Sequence, residues 1–266
     1  MHPPLIDGIH NYCDRCCWRC PFADRCACSS LTIPEVTRQP RDPTRAVAAT
    51  VVGTLSQAMT TVRQVAMDLG IDIHASPTTV AEVARVIEAK MDRARRDPLV
   101  KRAEEYTKQA WPIARALRPV LAGRGDHAML DAVERIEEIA GTIASKVYRA
   151  VSNTLEPDFD AAAVQSDANG SGKIARLLID DSRRAWRVLT EAGRASADGV
   201  PARLIILLDD LEHALAARFP RALEFVRPGF DTEPVERPVF RPAGGDDGTN
   251  VPQAGRSEDR PLQRQN

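Results

Sequence analysis

Apolar residues recur at steps of three and four through most of residues 43–228, and no comparable stretch alternates apolar with polar positions. The first such run carries Val47, Val51, Leu55, Ala58, Val62, Val65 and Leu69 on one stripe. Asp42-Pro43, an N-cap followed by a first-turn proline, starts this helix and Gly70 ends it. Ser76-Pro77 repeats the start signal, and Val80, Val83, Ile87 and Met91 give the second helix its apolar face. Asp97-Pro98 opens a third helix through Tyr106 and Trp111, with Pro112 and Pro119 expected to kink or segment its far end. After a break at 123–126, Leu130, Val133, Ile136, Ala140, Ile143, Val147 and Val151 mark a long fourth helix. The pattern predicts a fifth over 171–193 and a sixth over 200–218, where Leu204, Leu207, Leu208, Leu211 and Leu215 face inward. Together these elements predict an all-α fold, an antiparallel helical bundle of five to six helices.

The flanks differ. Residues 1–42 form an irregular arm rich in Pro and Cys, residues 43–230 the helical bundle domain, and residues 231–266 a Pro/Gly-rich tail with the composition of a disordered segment. A chain of 266 residues can bury a full core, and 43% hydrophobic with 27% charged residues is ordinary for a globular protein. Aromatics make up only 5%, so the core is expected to be aliphatic and alanine-rich. A formal net charge of −1 supplies no field to steer the chain onto nucleic acid or an anionic membrane. The opening Met-His-Pro-Pro-Leu-Ile-Asp lacks the basic and apolar regions of a secretory signal, and no apolar run approaches the roughly 18 residues of a membrane span. A cytoplasmic, reducing setting is therefore expected, in which clustered cysteines read as metal ligands rather than disulfides.

All six cysteines lie between Cys13 and Cys28. Thiolates this close repel one another unless a cation or cluster removes the charge. Cys13, Cys17 and Cys20 have the spacing C-x3-C-x2-C, with Cys26 beyond; Cys13, Cys16 and Cys20-Pro21 alternatively read as the end of a bacterial ferredoxin run. Four thiolates satisfy Zn2+ in a tetrahedron or a 4Fe-4S cluster, and the spacing leaves both open. Cys13, Cys17 and Cys20 also resemble the motif of radical S-adenosylmethionine enzymes. That family leaves one iron open in a βα barrel, whereas no strand–helix alternation follows here and Cys26 can close the site.

Cys13-Asp14-Arg15-Cys16-Cys17-Trp18-Arg19-Cys20-Pro21 with Arg25-Cys26 resembles the opening of a set of uncharacterised bacterial proteins that begin C-D-R-W-C-x-x-C-P and continue to R-C. Cys16 stands where that pattern has tryptophan. Gln165-Ser166-Asp167-Ala168-Asn169-Gly170-Ser171, Phe219-Pro220 and Arg227-Pro228-Gly229-Phe230-Asp231 belong to the same resemblance. It implies Cys13, Cys17, Cys20 and Cys26 as ligands, with Cys16 and Cys28 as extras, and it brings no activity.

Three other motifs compete for attention. Asp167 to Ile174 copies the first eight positions of an EF-hand loop, but Leu178 stands where the closing glutamate is needed, so a polar loop capped by Asn169 or Ser171 is the expected reading. Gly170-Ser-Gly172-Lys173 lacks the Ser/Thr and the preceding strand of a phosphate loop. Asp210 and His213 complete no second carboxylate–imidazole pair and read as a solvated helix face. Asp181, beside the stripe of Ile174, Leu178, Ala185 and Val188, needs an arginine partner, often from another helix. Basic residues within 85–118 interleave with Glu and Asp, as on a solvated face. With no acid–base pair and no activated nucleophile, the chain reads as a binding or adaptor module toward a protein partner rather than an enzyme. An iron–sulfur redox protein and a zinc-stabilised nucleic-acid binder are its rivals, and an apolar pocket for a small ligand stays open.

Overall fold

The computed structural model describes residues 3–29, 59–60, 77–191 and 199–233, and the fold among them is all-α. Five long helices follow the Cys-rich arm: α1 (Pro77–Arg96), α2 (Pro98–Ala122), α3 (His127–Asn153), α4 (Asp167–Glu191) and α5 (Val200–Arg218). The helix expected over 43–70 lies outside the described residues, apart from Met59 and Thr60, which are helical. Helices α2, α3, α4 and α5 each pack on the next and α5 returns to α2, closing a four-helix bundle; α1 leans on α2 and α3 from outside.

Local signals set most boundaries. The Asp97 carboxylate accepts from Leu99 N at 2.8 Å and that of Asp126 from Met129 N at 3.3 Å, so each N-cap satisfies one orphan amide of the helix it starts. Before α5, Gly199 takes a left-handed conformation and Pro201 sits in the first turn. Helix α2 continues through Pro112 and Pro119 to Ala122. Both prolines are on the solvent side, where water can take up the carbonyls they leave unbonded.

The expected stripes fill the core. Val133, Ile136, Ala140, Ile143, Val147 and Val151 of α3 are buried, as are Leu204, Leu208, Leu211 and Leu215 of α5, while Leu207 is half-buried. Alanines dominate the seams: Ala103, Ala110 and Ala114 of α2 and Ala132, Ala140 and Ala150 of α3 are fully enclosed, which lets backbones approach closely. One polar chain crosses the core. Trp186 Nε1 donates to Tyr106 Oη at 3.0 Å, and Tyr106 Oη also bonds the Ser182 hydroxyl. Burial pushes the Tyr106 phenol up to about 12, so it stays protonated and satisfies its partners. The stripe expected on α1 departs from this pattern. Among the described side chains of that stripe, Val83 and Ile87 are 53% and 51% exposed and Met91 is half-buried.

Helix α4 starts four residues earlier than the sequence pattern predicts. Ser166 is the cap: its hydroxyl accepts from Asn169 N at 3.2 Å and its carbonyl from Gly170 N at 3.0 Å. The Gly-, Asn- and Ser-rich first turn looks like a loop in sequence, yet it is helical, and Gly170 within it has a steric role. The rings of Tyr12 and Phe225, 4.6 Å apart at their centroids, lie directly over Gly170. A Cβ there would come within 2.4 Å of the Tyr12 ring and 2.8 Å of the Phe225 ring. The tail also begins later than expected: Asp231 and Glu233 pair with Lys173 and Arg25 and belong to the folded body.

Gly170 thereby tests how the arm docks. Gly→Ala inside a helix ordinarily stabilises by about 1 kcal/mol. Gly170→Ala is expected to reverse the sign and cost ~2 kcal/mol through overpacking. Urea denaturation would measure the loss, and faster proteolytic cleavage within residues 3–29 would show the arm released.

Candidate metal centre and adjoining cavity

The arm is built from three short 3-10 turns, Ile9–Tyr12, Cys17–Arg19 and Ala23–Arg25. The expected ligands fall at their boundaries: Cys13 caps the first, Cys17 opens the second, Cys20 caps it and Cys26 caps the third. Repeated reversal brings Cys13, Cys17, Cys20 and Cys26 onto one small cavity of about 10 Å³, together with Cys16, Ile9 and Phe230. Arg15, between Cys13 and Cys17, has φ 65°, the only positive value outside glycine among the described residues. Such a conformation is costly for arginine and marks a bend that the surrounding contacts enforce. Cys28 is exposed and lines neither this cavity nor the larger one beside it.

The thiols are free, and among the described residues no three His, Cys, Asp or Glu side chains are drawn in to a closed metal shell. Their electrostatics nevertheless form a chain. Burial raises the Cys13 and Cys20 thiols, and neighbouring charge raises them further: Asp14 and then Cys17 act on Cys13, against the lowering effect of Lys146, and Cys13, Asp14 and Cys26 act on Cys20. Opposing this, backbone N–H groups of Arg15 and Phe22 favour the Cys13 and Cys20 thiolates. Thiols that disfavour one another's ionisation yet receive amide donors are suited to a cation, which would remove the mutual repulsion. The donor chemistry is that of a thiolate site, but among the described residues these side chains are not gathered into a group that could hold a metal ion.

Cys16 has a different environment. Its Sγ donates to Glu138 Oε2 at 3.6 Å, and Arg135 Nη1 lies 3.4 Å away. Burial, with the Asp14 and Glu138 charges, holds this thiol far above its ordinary range, so it stays protonated. Arg135, on α3 and 3% exposed, is the hub: Nη1 reaches Asp14 Oδ2 at 3.2 Å and Nη2 reaches Asp181 Oδ2 at 2.6 Å. Burial works against its charge, but the Asp181 hydrogen bond and the Asp181 and Asp14 charges outweigh that and raise its pKa. Asp181 thus has the partner from another helix that its position demands, with Arg184 as a second. Arg135 itself, the residue joining arm, α3 and α4, is missed by sequence reasoning. An arginine amid an apolar stripe (Ala132, Val133, Ile136) was the available signal.

A second anchor lies one end further along. Lys146 Nζ donates to Asn11 O at 2.6 Å and Arg149 Nη1 to Asn11 Oδ1 at 2.9 Å. Tyr12 Oη donates to Asp167 Oδ1 at 2.9 Å, and Arg149 grips the same carboxylate at 2.6 and 2.8 Å. This disposes of the EF-hand likeness, since residues 167–174 are the first turns of α4, not a loop, and Asp167 is taken up by Tyr12 and Arg149. Lys173 is likewise engaged by Asp231 at 2.8 Å and the Phe225 carbonyl, not held open for phosphate. Asp210 and His213 are exposed, as a solvated face should be.

The segment after α5 closes the site. Phe230 stacks edge-on against Phe22 at 5.1 Å, under the Arg227 guanidinium at 5.0 Å. Gly229, φ 73°, lets it pass Ile9, which a Cβ would meet at 2.9 Å. The three segments of the sequence resemblance thus meet at one place: the arm, the start of α4, and 219–231. Among the described helices none is long and apolar enough to cross a membrane. Comparison of the chain with protein-family models, curated proteins and solved structures found no match, so function is argued from the site.

Asp231 yields a pH prediction. Burial would raise its carboxyl, but hydrogen bonds from Arg227 and Lys173 outweigh that and hold it well below the ordinary range. The native carboxylate therefore binds a proton less readily than the unfolded one. Its stabilisation is complete above about pH 4, near the unfolded pKa, and drains away as the pH falls further. Asp231→Asn should cost ~3 kcal/mol at neutral pH by stranding the buried Arg227 and the half-buried Lys173. Urea curves of variant and parent should converge as the pH drops from 7 toward 2.

Proposed function

We propose that this chain is a metal-binding helical protein in which Cys13, Cys17, Cys20 and Cys26 form a closed four-thiolate site that locks the arm onto the bundle. The observation that carries this reading is the lining of one cavity by these four cysteines, each at a turn boundary, with amide donors to two of them. Zn2+ is the first choice. A cavity of about 10 Å³ suits a single ion, roughly one water-sized sphere, and a cubane would require the arm to expand. The metal would supply folding energy to an arm whose own apolar cluster is small: Ile9, Phe22 and Cys26, with Ile6, Cys20 and Phe230 at its edge. Cys16 is the thiol donor that ties the arm to Glu138, and Cys28 is outside the site.

The resulting body is a binding or adaptor module of the reducing cytoplasm, where free thiols persist. Its basic residues speak for a solvated surface rather than a nucleic-acid face: Arg93, Arg95, Arg96, Lys101 and Arg102 are exposed, and acids interleave with them. The second reading is a 4Fe-4S redox protein, favoured by Cys20-Pro21 and by the partial exposure of Cys13, Cys17 and Cys20.

Metal content and visible spectrum of full-length protein, purified anaerobically without a metal-affinity tag, decide between these. About one zinc per chain and no colour is the expected result under the four-thiolate rule. Iron with acid-labile sulfide and a charge-transfer band would make the redox reading primary. Serine at Cys13, Cys17, Cys20 or Cys26 should strip the metal, whereas Cys16→Ser and Cys28→Ser should retain it. Metal-free protein from every preparation would sink both readings.

A further inference from the structure

Beside the cysteine site lies a second, larger cavity of about 160 Å³. Four parts of the chain enclose it: the arm, α3, α4 and the segment after α5. Pro21 of the arm, Ile174, Leu177 and Leu178 of α4, and Phe230 give it an apolar lining, and most of the surface it presents is apolar. Its volume matches an engineered apolar cavity of about 150 Å³ known to hold benzene.

The charged side chains on its walls are already paired. Arg19 is held by Asp14 and Glu138, Arg135 by Asp14 and Asp181, and Arg184 by Asp180 and Asp181. Arg227 is taken by Asp231. A charged ligand would have to break one of these pairs, and stranding one partner of a buried pair is costly. An uncharged hydrocarbon surface asks nothing of them and gains by leaving water for the apolar lining. The wall also suits a ring. Phe230 forms part of it, and ring–ring contact adds to burial. Arg227, on the same wall, sits over the Phe230 ring at 5.0 Å, so cation and π-face already meet there.

We propose that this cavity is a binding site for one compact, uncharged aromatic molecule of benzene size, and that its occupant fastens the arm to the bundle. The walls come from arm, helices and C-terminal segment together, so the cavity exists only while the arm is docked. A ligand that binds the docked state alone favours that state by mass action. Occupancy and protection of the arm therefore rise together. Cys13, Cys16 and Cys20 line both cavities, yet the aromatic site stands on volume, apolar lining and paired charges and does not rest on a metal.

Fluorine NMR titration of the full chain with fluorobenzene tests it, with metal content measured on the same sample so that the two readings fail independently. Saturable one-to-one binding is expected, displaced by benzene. Benzoate should bind at least about tenfold more weakly, because it brings an unpaired charge to a wall whose charges are matched. Cyclohexane, which lacks a π-face, should bind more weakly than benzene. Proteolytic cleavage within residues 3–29 should slow as fluorobenzene is added. Leu177→Trp should abolish binding by filling the cavity, with thermal melting showing that it folds. Should it not fold, the smaller filling of Leu177→Phe decides, with at least about tenfold weakening expected. No saturable binding, benzoate as tight as fluorobenzene, cyclohexane as tight as benzene, unchanged arm cleavage at saturation, or unchanged affinity in a folded Leu177 variant would each overturn the proposal.

Discussion

The described structure depends on one buried charge. Arg135 stands in the middle of α3, flanked in sequence by core residues, and its guanidinium cannot reach bulk water. A buried cation is tolerable only where anions and acceptors come to it. Asp181 arrives from α4 and Asp14 from the arm, while Glu138 comes from the next turn of α3 itself. Two consequences follow from that demand. The α3–α4 seam is held in one register, and the Cys-rich arm is drawn against the bundle at the point where its second turn begins.

A second constraint acts through volume instead of charge. Gly170 leaves the first turn of α4 bare, and Tyr12 of the arm and Phe225 of the C-terminal segment meet over it. Tyr12 is further tied to Asp167, itself gripped by Arg149. Lys173, one turn on, holds Asp231 and so fastens the far side. The start of α4 is therefore a seat for two chain segments more than 200 residues apart, Tyr12 and Phe225. Neither segment has the apolar content to fold alone; each becomes ordered against the other and against the helix. The cysteine site sits at the edge of this seat, so anything bound there reports on, and adds to, the docking of the arm.

The two cavities divide the chemistry of the region. The smaller one presents thiols whose ionisation is suppressed by burial and by each other, conditions under which a bound cation gains most. The larger one is lined by Arg19, Arg135 and Arg184, whose η nitrogens are paired with Asp14, Glu138, Asp180 and Asp181. Cys13, Cys16 and Cys20 separate them, with Cys16 kept protonated by the acids beside it.

Much of this was legible in the residues alone. Steps of three and four decided the helices, and Asp97-Pro98 and the break ending at Asp126 set two of their starts, because caps and periodicity act within a few residues of chain. The leucines of α5 and the valines and isoleucines of α3 are buried as their spacing requires. The crowding of cysteines into 13–28, and the need of Asp181 for an arginine from another helix, were equally visible. What the sequence misjudged were places where a distant segment overrides a local preference. The Gly- and Asn-rich start of α4 has the composition of a loop but is helical, capped by Ser166, and its bare surface at Gly170 seats Tyr12 and Phe225. Asp231 belongs by composition to a polar tail and is held in the fold by Lys173 and Arg227. Val83 and Ile87 have the spacing of a buried stripe yet are exposed. The sequence by itself determined the helices and gathered the thiols, since both depend on short-range spacing. Only the tertiary structure decided which thiol turns toward Glu138, which arginine is buried, and that a cavity opens between arm and bundle, because each depends on groups brought together from more than 100 residues apart in the chain.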